Sequence, residues 1–191
     1  MADVKTVKRT FKGTPIPGPG TYSLDPAHTY AGFSVRHLMV AKVRGRFGSV
    51  SGTVVIGDDP LDSRVEVSID TASIDTRNEQ RDGHLRSPDF FDVEAHPTMS
   101  FASSKIRRTG RGKFEIDGEL SIKGVSQPVT LTCALEGVGK DSWDNERAGF
   151  SARATIDREA WGLTWNQALE TGGVVVGRSV AIEIEAEIVR S

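Results

Sequence analysis

Apolar and polar residues alternate along most of the chain, which is the pattern of a β-strand with one buried face and one solvent-facing face. In the segment RVEVSID, residues 64–70, each aliphatic residue lies between charged or hydroxyl-bearing ones. Similar alternation predicts strands at Tyr22–Leu24, Phe33–His37, Val43–Ile56, Met99–Ser103, Phe114–Ile122, Val129–Glu136, Phe150–Ile156 and Val180–Ile188. The pattern predicts an all-β protein of about eight strands.

Clean alternation is typical of antiparallel sheets with one wet face, rather than of parallel sheets that are buried on both faces. Eight antiparallel strands can close into a barrel whose interior is filled by side chains or holds one small ligand. Gly45, Gly48 and Gly52 interrupt the segment 43–56, and glycine inside a strand often marks the bend that a closing barrel needs. A sandwich of two sheets has the same periodicity, so this pattern leaves both architectures open.

The segment that follows residue 76 breaks the alternation. Residues 77–86 predict a short polar helix, with Asn78 able to cap its start and Ser87-Pro88 ending it. Phe90 and Phe91 follow as two adjacent large apolar side chains in a turn. A polar helix that leads into an aromatic plug is suited to cover one end of a barrel.

One domain is expected for 191 residues, and we place it at 21–191, after a proline- and glycine-rich leader at 1–20. A net charge of -2 gives no electrostatic reason to expect nucleic acid or an anionic membrane as a partner. The basic cluster at 107–113 brackets Thr109-Gly110, which we interpret as a solvated hairpin turn.

The single cysteine, Cys133, excludes an internal disulfide and a cysteine-rich zinc site. The residues on the same face of its predicted strand are apolar, which predicts a buried thiol rather than a nucleophile. The N-terminus lacks the apolar core and cleavage site of a secretory signal, and no stretch approaches the ~20 apolar residues that span a bilayer. We therefore expect a soluble, cytoplasmic protein.

The sequence contains no nucleophile elbow, P-loop, zinc-protease motif or dinucleotide fingerprint. Asp82 and His84 are candidates for an acid–base pair or for metal ligands, but two residues apart on a helix they face different ways, which favours a pair on the helix surface that makes local hydrogen bonds. The four histidines show no ligand spacing, so we predict neither a metal nor a cofactor. His37 lies on the same face of its predicted strand as Phe33 and Val35. It is either a hydrogen-bonded core histidine or a polar group that orients a ligand in an apolar pocket.

Two tryptophans, Trp161 and Trp165, lie in the segment AWGLTW, residues 160–165, before a glycine-rich segment at 172–177. That glycine-rich segment opens no helix, so we interpret it as turns rather than as a phosphate cradle. The tryptophans either plug one end of the barrel or, if its interior is open, line the entrance.

Motifs that run in order from about residue 21 to residue 189 resemble the YceI-like family of polyisoprenoid-binding, lipocalin-like proteins. The matching segments are Tyr22–His37, Val43–Phe47, Arg81–Asp92 (RDGHLRSPDFFD), His96–Phe101, Gly118–Val129 (GELSIKGVSQPV), Arg158–Leu163 (REAWGL) and Val176–Gly177. The helix-and-plug motif is specific by itself, and the resemblance covers nearly the whole chain. Trp161 stands where the family usually has phenylalanine, and Arg178-Ser179 where it commonly has an acidic pair.

The resemblance implies an extended, eight-stranded antiparallel, lipocalin-like barrel with a short helix covering one end. It also implies an isoprenoid in the interior, either a polyprenyl phosphate or pyrophosphate or an isoprenoid quinone. We therefore predict a non-enzymatic protein that sequesters or transports a long-chain isoprenoid lipid. The alternatives are an enzyme that acts on an isoprenoid or quinone in the same cavity, and a stress-related structural protein with a filled barrel. A homodimer through a sheet edge or the leader is compatible with the sequence.

An isoprenoid offers few groups to a hydrogen bond, so its site needs a long apolar lining with polarity at the mouth. Our candidates for the apolar ligand-binding surface are Phe33, Val35, Val67, Leu85, Phe90, Phe91, Met99, Phe101, Leu131, Phe150 and Trp161. Arg81, His84 and His37 are the candidates to meet a polar or anionic head group.

Overall fold

A computed structural model of the protein describes residues 9–170 and 172–191. In these residues the backbone forms thirteen β-strands, one α-helix and four short 3-10 helices. The strands are β1 (Thr10–Phe11), β2 (Thr14–Pro15), β3 (Gly20–Leu24), β4 (Tyr30–His37), β5 (Ala41–Phe47), β6 (Val50–Ile56), β7 (Arg64–Asp70), β8 (Ile74–Asp75), β9 (Thr98–Gly110), β10 (Lys113–Ile122), β11 (Val125–Lys140), β12 (Glu146–Asp157) and β13 (Val176–Arg190). The α-helix is α1 (Glu79–Arg86), and the 3-10 helices are Pro26–His28, Pro60–Asp62, Thr71–Ser73 and Arg158–Trp161.

The main sheet closes on itself, because β13 pairs with β12 on one side and with β3 and β4 on the other. All of its pairings are antiparallel. Three of the barrel strands are bent and interrupted, namely β3 with β4, β5 with β6, and β7 with β8. Counted this way, the described residues form an eight-stranded antiparallel barrel. The predicted barrel is confirmed, and the two-sheet sandwich is excluded.

Specific hydrogen bonds account for two of these interruptions. At the end of β3, the Asp25 carboxylate accepts a hydrogen bond from the Ala27 backbone and starts a 3-10 turn at Pro26. The predicted long strand over 43–56 is divided into β5 and β6 at Gly48, whose N–H donates to the carbonyl of Ser73 rather than to a neighbouring strand. A Cβ at Gly45 would lie 2.4 Å from the Phe33 ring, so glycine there lets this ring lie across β5.

The predicted polar helix is present as α1. Asn78 caps it through a 2.9 Å hydrogen bond from the Arg81 N–H to the Asn78 side chain, and Ser87 ends it. The Arg86 guanidinium donates to the carbonyls of Ala72 and Ile74, both at 2.9 Å, which ties the helix to β8. None of the helices in the described residues has the length and apolar character needed to span a bilayer.

Residues 9–19 of the predicted leader pack against the opposite end of the barrel. β1 and β2 form a small hairpin, after which Ile16 is only 3% exposed. The Arg9 guanidinium donates to the Gly57 carbonyl at 3.0 Å, and the Gly18 N–H donates to Glu146 at 2.8 Å. Residues 1–8 of the predicted leader lie outside the described residues.

The basic hairpin turn lies two residues later than predicted. β9 continues through Thr109-Gly110, and the chain reverses at Arg111-Gly112 before β10 begins. Gly112 has a φ of +64°, a backbone conformation that glycine adopts without the steric cost paid by other residues. Both Gly110 and Gly112 are compatible with a turn. The pairing of Gly110 with Lys113 keeps Gly110 in β9, so the turn falls at Gly112.

Candidate functional site: an apolar cavity inside the barrel

A cavity of about 320 Å³ lies inside the barrel. Among the described residues, forty line it, and of these Ser63, Cys133 and Arg158 are the ones with a polar or ionisable side chain. The rest are aliphatic, aromatic, proline or glycine residues. The strands produce this wall directly, because alternate residues of each strand point inward.

The cavity is long and narrow. Its wall includes residues of β13 from Val176 to Ile188, which corresponds to roughly 40 Å of extended strand. Leu85 and Phe90 belong to the wall at the α1 end, and Ile16 and Pro17 at the leader end. A volume of about 320 Å³ drawn out over this length suits an extended chain better than a compact ligand.

Ten of the residues that the sequence nominates lie in the cavity wall. They are Phe33, Val35, Val67, Leu85, Phe90, Phe91, Met99, Phe101, Leu131 and Phe150. At the α1 end the rings of Phe47 and Phe91 meet edge to face at 5.7 Å, which shows how the aromatic plug packs against β5. The structure brings these residues together around one space.

Trp161 does not line the cavity, contrary to its nomination. It is 3% exposed, and its indole N–H donates to the Leu120 carbonyl at 2.8 Å. It therefore matches the alternative interpretation, a structural plug. Trp165 is half-buried, with its ring edge-to-face on His84 at 4.6 Å.

The three residues nominated for a head group also lie outside the wall. Arg81 binds Thr76 through its Nε and Nη2 atoms at 2.7 and 2.8 Å, and the His84 Nε2 lies 2.9 Å from the Asp89 carboxylate. His37 is half-buried at the end of β4, beyond the wall residue Val35. A contact between any of them and a head group stays a prediction.

Asp82 is not the helix-surface residue that its position suggested. It is 7% exposed, and its carboxylate accepts hydrogen bonds from the Thr76 N–H and hydroxyl groups. The expected local hydrogen bonds are present, but Asp82 forms them toward the barrel and His84 forms its own toward the following turn. The structure does not bring the two side chains together as a catalytic pair.

Arg158 is a wall residue that the sequence reasoning missed. It is 3% exposed, and its guanidinium donates to the carbonyls of Gly177 at 2.9 Å, Val176 at 3.3 Å and Leu163. Burial lowers the pKa of this guanidinium, and the charges of Glu159 and Asp157 oppose that shift. The contacts join the loop after β12 to the start of β13. The segment REAWGL contains this arginine, but the alternation of apolar and polar residues gives no indication that its side chain is buried.

Cys133 lies in the wall and is 5% exposed, which confirms the predicted buried thiol. Burial raises its pKa from the usual 9.0 to about 12, with a smaller effect from Glu136. The thiol is therefore protonated at neutral pH and is a poor nucleophile.

One group of possible metal ligands, Asp25, His28 and Glu187, occurs among the described residues. The Arg147 guanidinium already lies within this group, with Nη1 2.7 Å from Asp25 and 2.5 Å from Glu187. A cation placed between the carboxylates makes this an ion-pair network rather than a site shaped for a metal.

A comparison with family models finds a match to the YceI-like domain over residues 22–188. The chain belongs to the YceI-like domain family. A UPF0312 protein of Staphylococcus epidermidis is 37% identical over 169 residues, which cover 87% of this chain and 95% of the relative. The family match begins after Ile16 and Pro17, so these two wall residues precede the matched YceI-like domain.

Two solved structures show the same fold. The structure of BcnA from Burkholderia cenocepacia aligns with a TM-score of 0.75 at 22% identity and covers 86% of this chain and 98% of its own. A polyisoprenoid binding domain from Saccharophagus degradans aligns with a TM-score of 0.65 at 16% identity and covers 89% and 98%. The YceI-like barrel is thus retained at low sequence identity.

Proposed function

We propose that this YceI-like protein binds an isoprenoid lipid inside its barrel and sequesters or transports it. The observation that carries the proposal is the cavity of about 320 Å³, whose wall is almost entirely apolar. Ligand pockets of this size normally combine an apolar lining with a few convergent polar groups. Here the polar groups are nearly absent, which favours a ligand recognised by hydrocarbon shape alone.

The energetics favour a chain-like hydrocarbon. Burying ~500 Å² of apolar ligand surface would supply roughly 12 kcal/mol before the costs of association and ordering. A polar head group gains nothing comparable within such a wall, because a buried polar group without a partner costs free energy. We therefore place the head group, a phosphate, pyrophosphate or quinone ring, at an end of the cavity.

The fold of the S. degradans polyisoprenoid binding domain supports the proposal by analogy of architecture. The enzymatic alternative requires His37, Asp82 or His84 to face the cavity beside one another, and none of the three belongs to its wall. The structural alternative requires a filled barrel, whereas the cavity provides space for a narrow chain. Both observations favour binding over the two alternatives.

Mass spectrometry of the purified full chain tests the proposal, both in the native state and after extraction with organic solvent. We expect a species near one-to-one stoichiometry whose mass fits repeated isoprene units. A protein that is empty, and that also fails to take up added polyprenyl phosphates and isoprenoid quinones, would contradict the proposal.

A pair of variants locates the ligand. Val67 faces the cavity and its neighbour Ser68 is exposed on the outer face of β7. Val67→Trp should fill the middle of the channel and reduce the bound isoprenoid severalfold, whereas Ser68→Trp should leave it unchanged. Circular dichroism verifies that both variants fold. Equal retention by the two variants would place the ligand outside the barrel.

A further inference from the structure

The hairpin between β4 and β5 ends in three exposed apolar residues. The exposed fractions are 40% for Leu38, 53% for Met39 and 83% for Val40. Leu38 and Met39 have φ values of +51° and +61°, which non-glycine residues rarely adopt. The Leu38 N–H donates to the Val175 carbonyl at 2.9 Å, so the tip is held in place against the loop before β13. We call residues 38–40 the apolar tip.

The apolar tip lies beside the α1 end of the cavity. Val35, three residues before the tip, belongs to the cavity wall. Val176, another wall residue, pairs with His37, which directly precedes the tip. The exposed apolar surface and the apolar interior therefore come within a few residues of each other.

The strands that carry the tip are strongly basic. Residues 26–57 contain Arg36, Lys42, Arg44 and Arg46 and no aspartate or glutamate, although the whole protein has a net charge of -2. Of these cations, only Arg46 forms an ion pair with any described residue, a 3.5 Å contact to Asp75. Three cations beside the tip thus have no anionic partner within the described part of the protein.

At the opposite end of the barrel, the described residues place the exposed apolar side chain of Trp143 and the exposed cations Arg108 and Arg111 on different hairpins. Ile16 and Pro17 belong to the cavity wall there and are both buried. Trp143, on the turn between β11 and β12, is 79% exposed, but Asp141 and Asp144 lie on the same turn. Asp144 pairs with Lys140 at 2.9 Å and Asp141 pairs with Arg147 at 2.9 Å, so the acids on this turn neutralise the cations beside the exposed aromatic residue and leave little positive charge to attract an anionic surface.

We propose that the β4–β5 hairpin docks the protein onto an anionic lipid bilayer. The apolar tip enters the interfacial region, and Arg36, Lys42 and Arg44 contact the anionic head groups. Exposed apolar side chains flanked by cations are the combination that binds such interfaces. Docking would place the α1 end of the cavity at the membrane surface, where a lipid can be exchanged. This inference adds a partner to the proposed function, and it can fail independently of it.

Co-sedimentation of the purified full chain with vesicles provides the test. We expect binding to vesicles of phosphatidylcholine mixed with phosphatidylglycerol, and little binding to phosphatidylcholine alone. Raised salt should weaken binding, because the exposed cations are then screened.

Two double variants with matched controls locate the surface. Met39→Ser with Val40→Ser should weaken binding by at least about tenfold, since it removes the apolar area that enters the interface. Trp143→Ser removes a highly exposed apolar side chain from the other end and should have no effect. Lys42→Gln with Arg44→Gln should weaken binding about twenty-fivefold, at roughly fivefold per cation. Arg108→Gln with Arg111→Gln, exposed cations at the leader end, is the charge-matched control.

Three results would overturn the inference. The first is an absence of vesicle binding by the folded wild-type chain. The second is binding that the Trp143 or Arg108/Arg111 controls abolish while the tip variants retain it. The third is self-association through the tip. In that case the wild-type chain is a dimer that does not bind vesicles, and Met39→Ser with Val40→Ser converts it to a monomer. Isoprenoid extracted from the same preparations tests the proposed function separately. A protein that carries the lipid but does not bind vesicles would contradict the docking proposal and leave the proposed function intact.

Discussion

At the scale of single residues, burial sets the chemistry of Cys133. Its pKa of about 12, against the usual 9.0, lowers the thiolate fraction at pH 8 by roughly a thousandfold. We expect almost no reaction with a disulfide reagent such as dithionitrobenzoate in the native state, and one equivalent after denaturation. Absorbance of the released thionitrobenzoate measures both. Rapid native reaction would mean that the barrel wall opens far more readily than the structure implies.

Arg158 makes a different residue-scale contribution, because its guanidinium binds three carbonyl groups of the loop and of β13. Arg158→Met keeps much of the apolar stem but leaves those carbonyls without a donor, which should cost on the order of 3 kcal/mol of unfolding free energy. Arg153→Met is the control, since this arginine is 73% exposed and its contact to Glu183 is 3.6 Å long. Urea denaturation should show a change within about 0.5 kcal/mol for the control. If both variants lose a similar amount of unfolding free energy, the hydrogen bonds of Arg158 make no special contribution to stability.

At the scale of elements, the segment at residues 9–19 seals one end of the barrel through Ile16. Ile16→Ala should lower the unfolding free energy by about 2–3 kcal/mol, because Ile16 is 3% exposed and truncation leaves a cavity. Thr10→Ala, at an exposed position of β1, should change it little. Urea midpoints of the two variants provide the comparison. An unchanged midpoint for Ile16→Ala would show that this segment does not contribute to the folded barrel.

Elements with a local cause could be predicted from the sequence, and those with a distant cause could not. Asn78 and Ser87-Pro88 bound α1 by themselves, so its limits were predicted within two residues. The break at Gly48 depends on a carbonyl at Ser73, twenty-five residues away, which alternation does not reveal. The packing of Ile16 likewise depends on strands far along the chain.

At the scale of the whole molecule, the alternation of apolar and polar residues identified the wall of the cavity. It did not identify the roles of the polar residues around that wall. Phe33, Val67 and Leu131 were found because alternate residues of a strand face the interior. Arg81 and His84 fit a head-group role on charge alone, yet each binds a partner a few residues away, and such pairings depend on side-chain geometry. Total charge is equally uninformative about local charge: a value of -2 conceals a hairpin, from β4 to β5, without a single acid.

An ion-pair network around Arg147 joins distant parts of the barrel at the leader end. Its guanidinium contacts Asp25 after β3 at 2.7 Å, Asp141 after β11 at 2.9 Å and Glu187 in β13 at 2.5 Å. Hydrogen bonds from His28 and Arg147 lower the pKa of Asp25 to about 2. For Asp141, burial acts in the opposite direction, but hydrogen bonds from Arg147 and Asn145 still lower its pKa to about 2.

Because these carboxyl groups have lower pKa values in the folded than in the unfolded protein, their contribution to stability is present above pH ~4 and is lost as the pH falls toward 2. His28, whose pKa is raised by Asp25, acts with the opposite sign: its contribution is complete below its ordinary pKa of 6.5 and is lost as the pH rises through the raised value. The urea midpoint should therefore fall between pH 5 and pH 3. Asp25→Asn should reduce that fall, whereas Asp62→Asn, which removes an exposed carboxylate outside the network, should preserve it. An identical pH profile for Asp25→Asn and the wild type would mean that the acid sensitivity of the barrel arises from other carboxylates.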